Sequence, residues 1–169
     1  NKRTMKAMIN RRDFIRAGAA TGAGMMILPT GTLLGAINHA ASPTFENVAY
    51  DAHERTKLDI WQAEGTGPRP LLVFIHGGGW VGNDKQSFRR AMQRGGYASI
   101  LEKGISVAAI NYRLSTTDPL PTPVHDAARA IQFLRSKAEA WNLDSSRIGL
   151  TGGSAGGCTS LWLACHDDL

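Results

Sequence analysis

Close to the C-terminal end the chain reads Ile148-Gly149-Leu150-Thr151, then Gly152-Gly153-Ser154-Ala155-Gly156-Gly157, then a helix-spaced segment from Cys158 to Cys165. An apolar run, a serine flanked by glycines and a helical spacing, in that order, specify a strand, a sharp turn and a helix with Ser154 at the apex. Gly152 and Gly156, two residues either side of the serine, leave room where a Cβ would strike the opposite limb of the turn. A strand and a helix joined this tightly require a sheet on one side and a helical layer on the other.

The preceding residues supply that sheet. Leu71-Leu72-Val73-Phe74-Ile75 and Ile105-Ser106-Val107-Ala108-Ala109-Ile110 are near-continuous apolar runs, the pattern of strands covered on both faces. Val48-Ala49-Tyr50 and Lys57-Leu58-Asp59-Ile60-Trp61 read as shorter strands, the second alternating apolar Leu58 and Ile60 with polar Lys57 and Asp59. Gln86 to Lys103 is compatible with helix, and Gly95-Gly96 predicts a break within it. Val124, Ala127, Ala128, Ile131, Leu134, Ala138 and Trp141 recur at three- and four-residue steps and form one apolar helix face. Thr122 is expected to cap that helix and Pro123 to be its first residue. Strands alternating with helices of this length predict an α/β fold, a mainly parallel sheet with helices on both faces. The chain has 169 residues, 43% of them hydrophobic, which suits one domain with a single core.

A lone Gly-x-Ser-x-Gly often marks an ordinary turn. A second motif gives this one weight. His76-Gly77-Gly78-Gly79 follows the other buried strand, 78 residues upstream of Ser154. When a serine attacks a carbonyl, an oxyanion forms and needs N–H donors aimed at it. A glycine triplet leaving a strand can turn its N–H groups into such a site because no side chain blocks the approach. The N–H of Ala155, just after the serine, would supply a further donor. Both motifs fall at the carboxyl ends of predicted strands, where open α/β sheets place their sites.

Five segments together resemble the α/β-hydrolase carboxylesterases. They are His76-Gly77-Gly78-Gly79-Trp80, Asn111-Tyr112-Arg113-Leu114, Pro123-Val124-His125-Asp126-Ala127, Asp144-Ser145-Ser146-Arg147-Ile148 and the Gly152–Gly157 turn. The likeness is greatest to the hormone-sensitive-lipase-like and the feruloyl- and acetyl-xylan-esterase-like branches, and it covers about residues 46–169. It implies Ser154 as nucleophile and the N–H groups of Gly78, Gly79 and Ala155 as oxyanion donors. His76, Gly77, Gly152 and Gly156 would support them. It implies a carboxylic ester hydrolase working through an acyl-enzyme on a small-molecule or carbohydrate-linked ester, with no metal and no organic cofactor. A serine peptidase of the same fold and a non-catalytic binding protein of that fold are the rival readings.

In this fold the triad acid and histidine follow the serine in chain order. After Ser154 the chain holds only His166, Asp167 and Asp168. His166 is expected roughly 18 Å along the helix from the serine at 1.5 Å per residue. Among earlier histidines, His76 reads as support for the glycine loop, His125 as a first-turn helix residue and His53 as a loop residue. The expectation is that the C-terminal strands, the triad acid and the triad histidine lie beyond Leu169. The chain by itself is then expected to be inactive and poorly folded, with a sheet edge exposed. Asp84-Lys85 reads either as a substrate contact or as a solvated loop pair, and Trp80 either as a pocket wall or as cover for the sheet.

Residues 1–41 read as a separate leader, leaving 42–169 for the hydrolase domain. Asn10-Arg11-Arg12-Asp13-Phe14-Ile15-Arg16 precedes a Gly/Ala-rich stretch, Ala17 to Ile37, without a charged residue. Paired arginines before a weakly apolar run resemble a twin-arginine export signal. A retained membrane anchor and an unrelated cytoplasmic leader are the alternatives. The leader holds six basic residues against one acidic. That leaves 13 of the 19 basic and 13 of the 14 acidic residues for the remainder. With no positive excess outside the leader, a nucleic-acid partner is excluded. Cys158 and Cys165 lie seven residues apart, roughly 10 Å along one helix, beyond disulfide reach. They are expected to be small buried apolar residues.

Overall fold

The computed structural model describes residues 42–166, and the expected leader lies outside them. Five strands form one sheet in the order β1-β2-β4-β3-β5. They are β1 (Phe45–Ala49), β2 (Lys57–Trp61), β3 (Arg69–Ile75), β4 (Ser106–Ile110) and β5 (Leu143–Gly152). β3 pairs in parallel with both β4 and β5, whereas β2 pairs antiparallel with β1 and β4. Only β2 therefore opposes the common direction. The sheet is mixed by pairing and mainly parallel by direction. Among the described residues no strand pairs with the outer edge of β5.

Two clusters of buried side chains show that both faces are covered. On one face Leu58, Ile60, Leu71, Val73, Ile75, Ala108 and Ile110 pack with Ala127, Ala130 and Leu134. The last three project from helix α3 (Thr122–Ser136). On the other face Trp61, Val107 and Ala109 pack with Phe88 and Met92 of helix α1 (Gln86–Gln93), and Ile100 and Leu101 of helix α2 (Ala98–Glu102) lean on them. Alternate residues of β3 and β4 thus serve opposite layers, as the two-residue period of a strand dictates. The last helix, α4 (Ala155–Cys165), follows β5 directly. The break between α1 and α2 falls where Gly95-Gly96 predicts it, and Gly95 has φ +77°.

Five expectations need correction. Thr122 is the first residue of α3 rather than its cap, and no side chain caps that helix. α3 ends at Ser136, so Ala138 and Trp141 pack from the turn beyond it. Asp59 is not on a solvated face: it is wholly buried and takes Lys85 as its partner, so Lys85 is not a solvated loop residue either. Cys158 and Cys165 are exposed, because no described element covers the outer side of α4, where Leu161 and Trp162 are exposed too.

Candidate active site

β5 ends at Gly152 and α4 begins at Ala155, leaving Gly153 and Ser154 to reverse the chain. Ser154 sits at φ +54°, ψ −124°, a region costly for a residue with a Cβ, by about 1–3 kcal/mol. That backbone lifts the serine out of the turn, and the residue is exposed. The turn is tight enough to exclude side chains on both limbs. A Cβ on Gly152 would lie 2.4 Å from the Ile75 carbonyl oxygen and 2.7 Å from the Gly156 carbonyl carbon. One on Gly156 would come within 2.0 Å of the same Ile75 oxygen. The flanking glycines thus answer to the neighbouring strand β3 as well as to the opposite limb.

The glycine loop begins where β3 stops. Since Ile75 pairs with Gly152 across the parallel ladder, His76 onward and Gly153 onward leave the sheet side by side. A Cβ on Gly77 would meet the Gly153 carbonyl oxygen at 2.6 Å and the Ser154 Cβ at 3.5 Å. Gly78 and Gly79 then take φ of +106° and +62° and are exposed. Val81 N–H closes the turn onto the Gly78 carbonyl at 3.0 Å. Among the described residues, the N–H groups of Gly78 and Gly79 have no acceptor. Ala155 heads α4, where a helix leaves its N–H groups unpaired, and the residue itself is buried.

His76 is fully buried and turned into the fold. Its Nδ1 lies 2.8 Å from the Gly77 carbonyl oxygen, and its ring stacks on Tyr112 with centroids 4.1 Å apart. Burial holds its imidazole below the ordinary value, against the opposing pull of the Gly77 carbonyl. Tyr112, named in the sequence only as part of a motif, donates its hydroxyl to the His76 carbonyl at 2.7 Å. Burial raises that phenol to about 12. Its place was legible as the second residue past the carboxyl end of β4, the strand beside β3.

Further fixings hold the loop. Lys85 Nζ donates to Asp59 Oδ1 at 2.8 Å and to Asn47 Oδ1 at 2.7 Å, and the Lys85 N–H donates to Asn111 Oδ1 at 2.6 Å. Arg55 donates to the carbonyls of Tyr112 and Asn83, each at 2.9 Å. Trp80, another non-glycine residue at positive φ (+59°), has its carbonyl held by the Ser115 N–H at 2.7 Å. Its indole N–H donates to Thr159 Oγ1 on α4 at 3.0 Å. It packs half-buried on the core. None of these partners was legible from spacing.

Among the described residues, no hydrogen bond joins the other histidines to the turn. His53 lies between β1 and β2 and accepts the Arg55 N–H at 3.1 Å. His125 is exposed in the first turn of α3. His166 is past the end of α4, against Trp162. A cleft of about 620 Å³ lies elsewhere, walled by Ile131, Ile148, Leu150, Leu161, Leu163 and His166. Its walls come from α3, β5 and α4, and Ser154 is not among them.

A serine raised on a strand-to-helix turn, beside a glycine loop leaving the adjacent parallel strand, defines the α/β-hydrolase fold. Within that fold the chain belongs to the BD-FAE family of esterases, whose model matches residues 58–168. A twin-arginine translocation signal model matches residues 8–27, which marks the chain for export. No helix among the described residues is long and apolar enough to cross a membrane. The chain is 31% identical over 115 residues to the probable carboxylic ester hydrolase LipM of Mycobacterium tuberculosis, covering 66% of this chain and 26% of that one. It is 28% identical over 134 residues to a probable isoprenylcysteine alpha-carbonyl methylesterase, ICMEL2, of Arabidopsis thaliana, covering 78% of this chain and 30% of that one. Among solved structures it is similar to a truncated form of a carbohydrate esterase from gut microbiota. That match has 34% identity and a TM-score of 0.62 and covers 72% of this chain and 43% of the other. The chain thus spans less than a third of the length of these curated relatives.

Proposed function

We propose that the protein is an exported serine esterase that cleaves carboxylic esters through an acyl-enzyme. The observation that carries this is the backbone of Ser154, held at φ +54° at the exposed apex of the turn with the Gly77–Gly79 loop packed against it. In the proposed reaction the Ser154 hydroxyl attacks the ester carbonyl, and a base takes its proton. The resulting oxyanion receives the N–H groups of Gly78, Gly79 and Ala155, which are worth about 2.7–4 kcal/mol each when preorganised. The same base returns the proton to the leaving alcohol, and water then cleaves the acyl-enzyme.

His76 is assigned to holding the loop, because its ring is buried against Tyr112 and its Nδ1 is engaged with Gly77. His53 and His166 engage other groups and His125 is exposed in the first turn of α3, so the base and its orienting acid are assigned to parts of the whole enzyme outside the described residues. Small-molecule and carbohydrate-linked esters are the proposed substrates, and the periplasm or the extracellular space the proposed destination. The test is hydrolysis of p-nitrophenyl acetate and of acetylated xylo-oligosaccharides by the whole enzyme and its Ser154→Ala variant. Loss of both activities in a folded variant is expected, with a drop of about 10⁴-fold or more. Retained turnover would refute the serine mechanism.

A further inference from the structure

The two halves of the proposed oxyanion hole come from segments far apart in the chain. Gly78 and Gly79 lie on the loop after β3, and Ala155 starts the helix after β5. Something must fix the distance between them, since the donors must lie about 2.7–3.1 Å from the oxyanion. Main-chain pairing does this as far as Ile75 and Gly152. Beyond that point the loop leaves the ladder.

One polar path crosses between loop and helix. The Trp80 indole N–H donates to Thr159 Oγ1 at 3.0 Å, and that hydroxyl donates to the Ala155 carbonyl at 2.9 Å. The order of donation is settled by the inventory. Indole nitrogen is donor only, so the threonine's single proton is free for the carbonyl one turn back. Thr159 is buried at 2% exposure, which shields its hydroxyl from bulk solvent. Trp80 is fixed from its other side by the Ser115 N–H and by its own positive φ. The residue next to Gly79 is thus tied to the residue that carries the opposite donor.

We propose that Trp80 and Thr159 are positioning residues for the oxyanion hole, their hydrogen-bonded path setting its width. This rests on the reading of Ser154 as nucleophile. A purely packing role for the pair makes a different forecast, because valine copies the shape of threonine and lacks only the hydroxyl.

The experiment is pre-steady-state and steady-state hydrolysis of p-nitrophenyl acetate by the whole enzyme and four variants: Thr159→Val, Thr159→Ser, Trp80→Phe and the Thr159→Val/Trp80→Phe double variant. A 1 Å misplacement costs up to about 100-fold in rate, so Thr159→Val should lose about 10- to 100-fold in acylation rate, with KM within about twofold. Thr159→Ser should restore the rate, and Trp80→Phe should match Thr159→Val. The double variant should be no slower than either single one, as expected for two residues on one path. Thr159→Val should also shift the Trp80 Nε1–H resonance. An unchanged acylation rate in Thr159→Val, failure of serine to rescue it, or additive losses in the double variant would each overturn the proposal. Ser154→Ala in parallel separates the failures. Turnover surviving in Ser154→Ala sinks the nucleophile reading, whereas turnover lost there but intact in Thr159→Val sinks only the strut.

Discussion

Replacing Lys85 by methionine removes a charge from one of the driest places in the molecule. The lysine side chain is 2% exposed and its partner Asp59 wholly buried. Asp59 Oδ1 takes two hydrogen bonds, from Lys85 Nζ at 2.8 Å and from the Asn47 N–H at 2.8 Å. Asp59 Oδ2 has no partner. Methionine keeps the length of the side chain and leaves the carboxylate with one neutral donor. Stranding a buried charge this way costs about 3–5 kcal/mol. At a urea m-value of about 2 kcal/mol/M the unfolding midpoint should drop by roughly 2 M. Lys85→Met/Asp59→Leu, which removes both charges, should recover most of that loss, since buried pairs are worth little against apolar replacements. The assay is urea unfolding followed by far-ultraviolet circular dichroism for the parent, both single variants and the double variant. If Lys85→Met costs less than about 1 kcal/mol, or the double variant is no better than the worse single one, the charge is not what the site depends on.

Two further outcomes follow from the turn and the loop. Gly156→Ala drives a Cβ to 2.0 Å from a backbone oxygen of β3, whereas at Gly153 a Cβ meets nothing within 4 Å. Thermal unfolding should therefore show a loss of about 3 kcal/mol for the first and a change of under about 1 kcal/mol for Gly153→Ala; equal losses would refute the close approach. Burial lowers the folded-state titration of His76 below the 6.5 of a free imidazole. As the pH falls, the unfolded chain binds that proton first, so the stability His76 contributes is complete above about 6.5 and drains away below it. His76→Gln should flatten the fall in unfolding free energy between pH 7 and pH 5, and parallel slopes would contradict this.

What could be read from the residues and what could not divide along a physical line. β3 and β4 were legible because strands covered on both faces leave an unbroken apolar run. The turn at Ser154 was legible because backbone approaching backbone tolerates only glycine, which leaves a mark at fixed spacing. Asp59 and Lys85 were illegible for the opposite reason. Each alone reads as solvent-facing, and only the tertiary fold brings residues 26 positions apart to 2.8 Å. The same holds for Trp80 and Thr159, 79 positions apart. The exposed cysteines misled because helical spacing states which residues share a face, not what covers it.

The pairing of Ile75 with Gly152 acts as a ruler. Adjacent strands stand about 4.8 Å apart whatever their side chains, so the gap between glycine loop and serine is graduated in main-chain hydrogen bonds. The mark belongs to the main chain, and at Gly152 it also depends on the absence of a Cβ, which would lie 2.4 Å from the Ile75 carbonyl oxygen. A slip of one residue would displace the serine by about 3.3 Å along the strand and turn it to the other face.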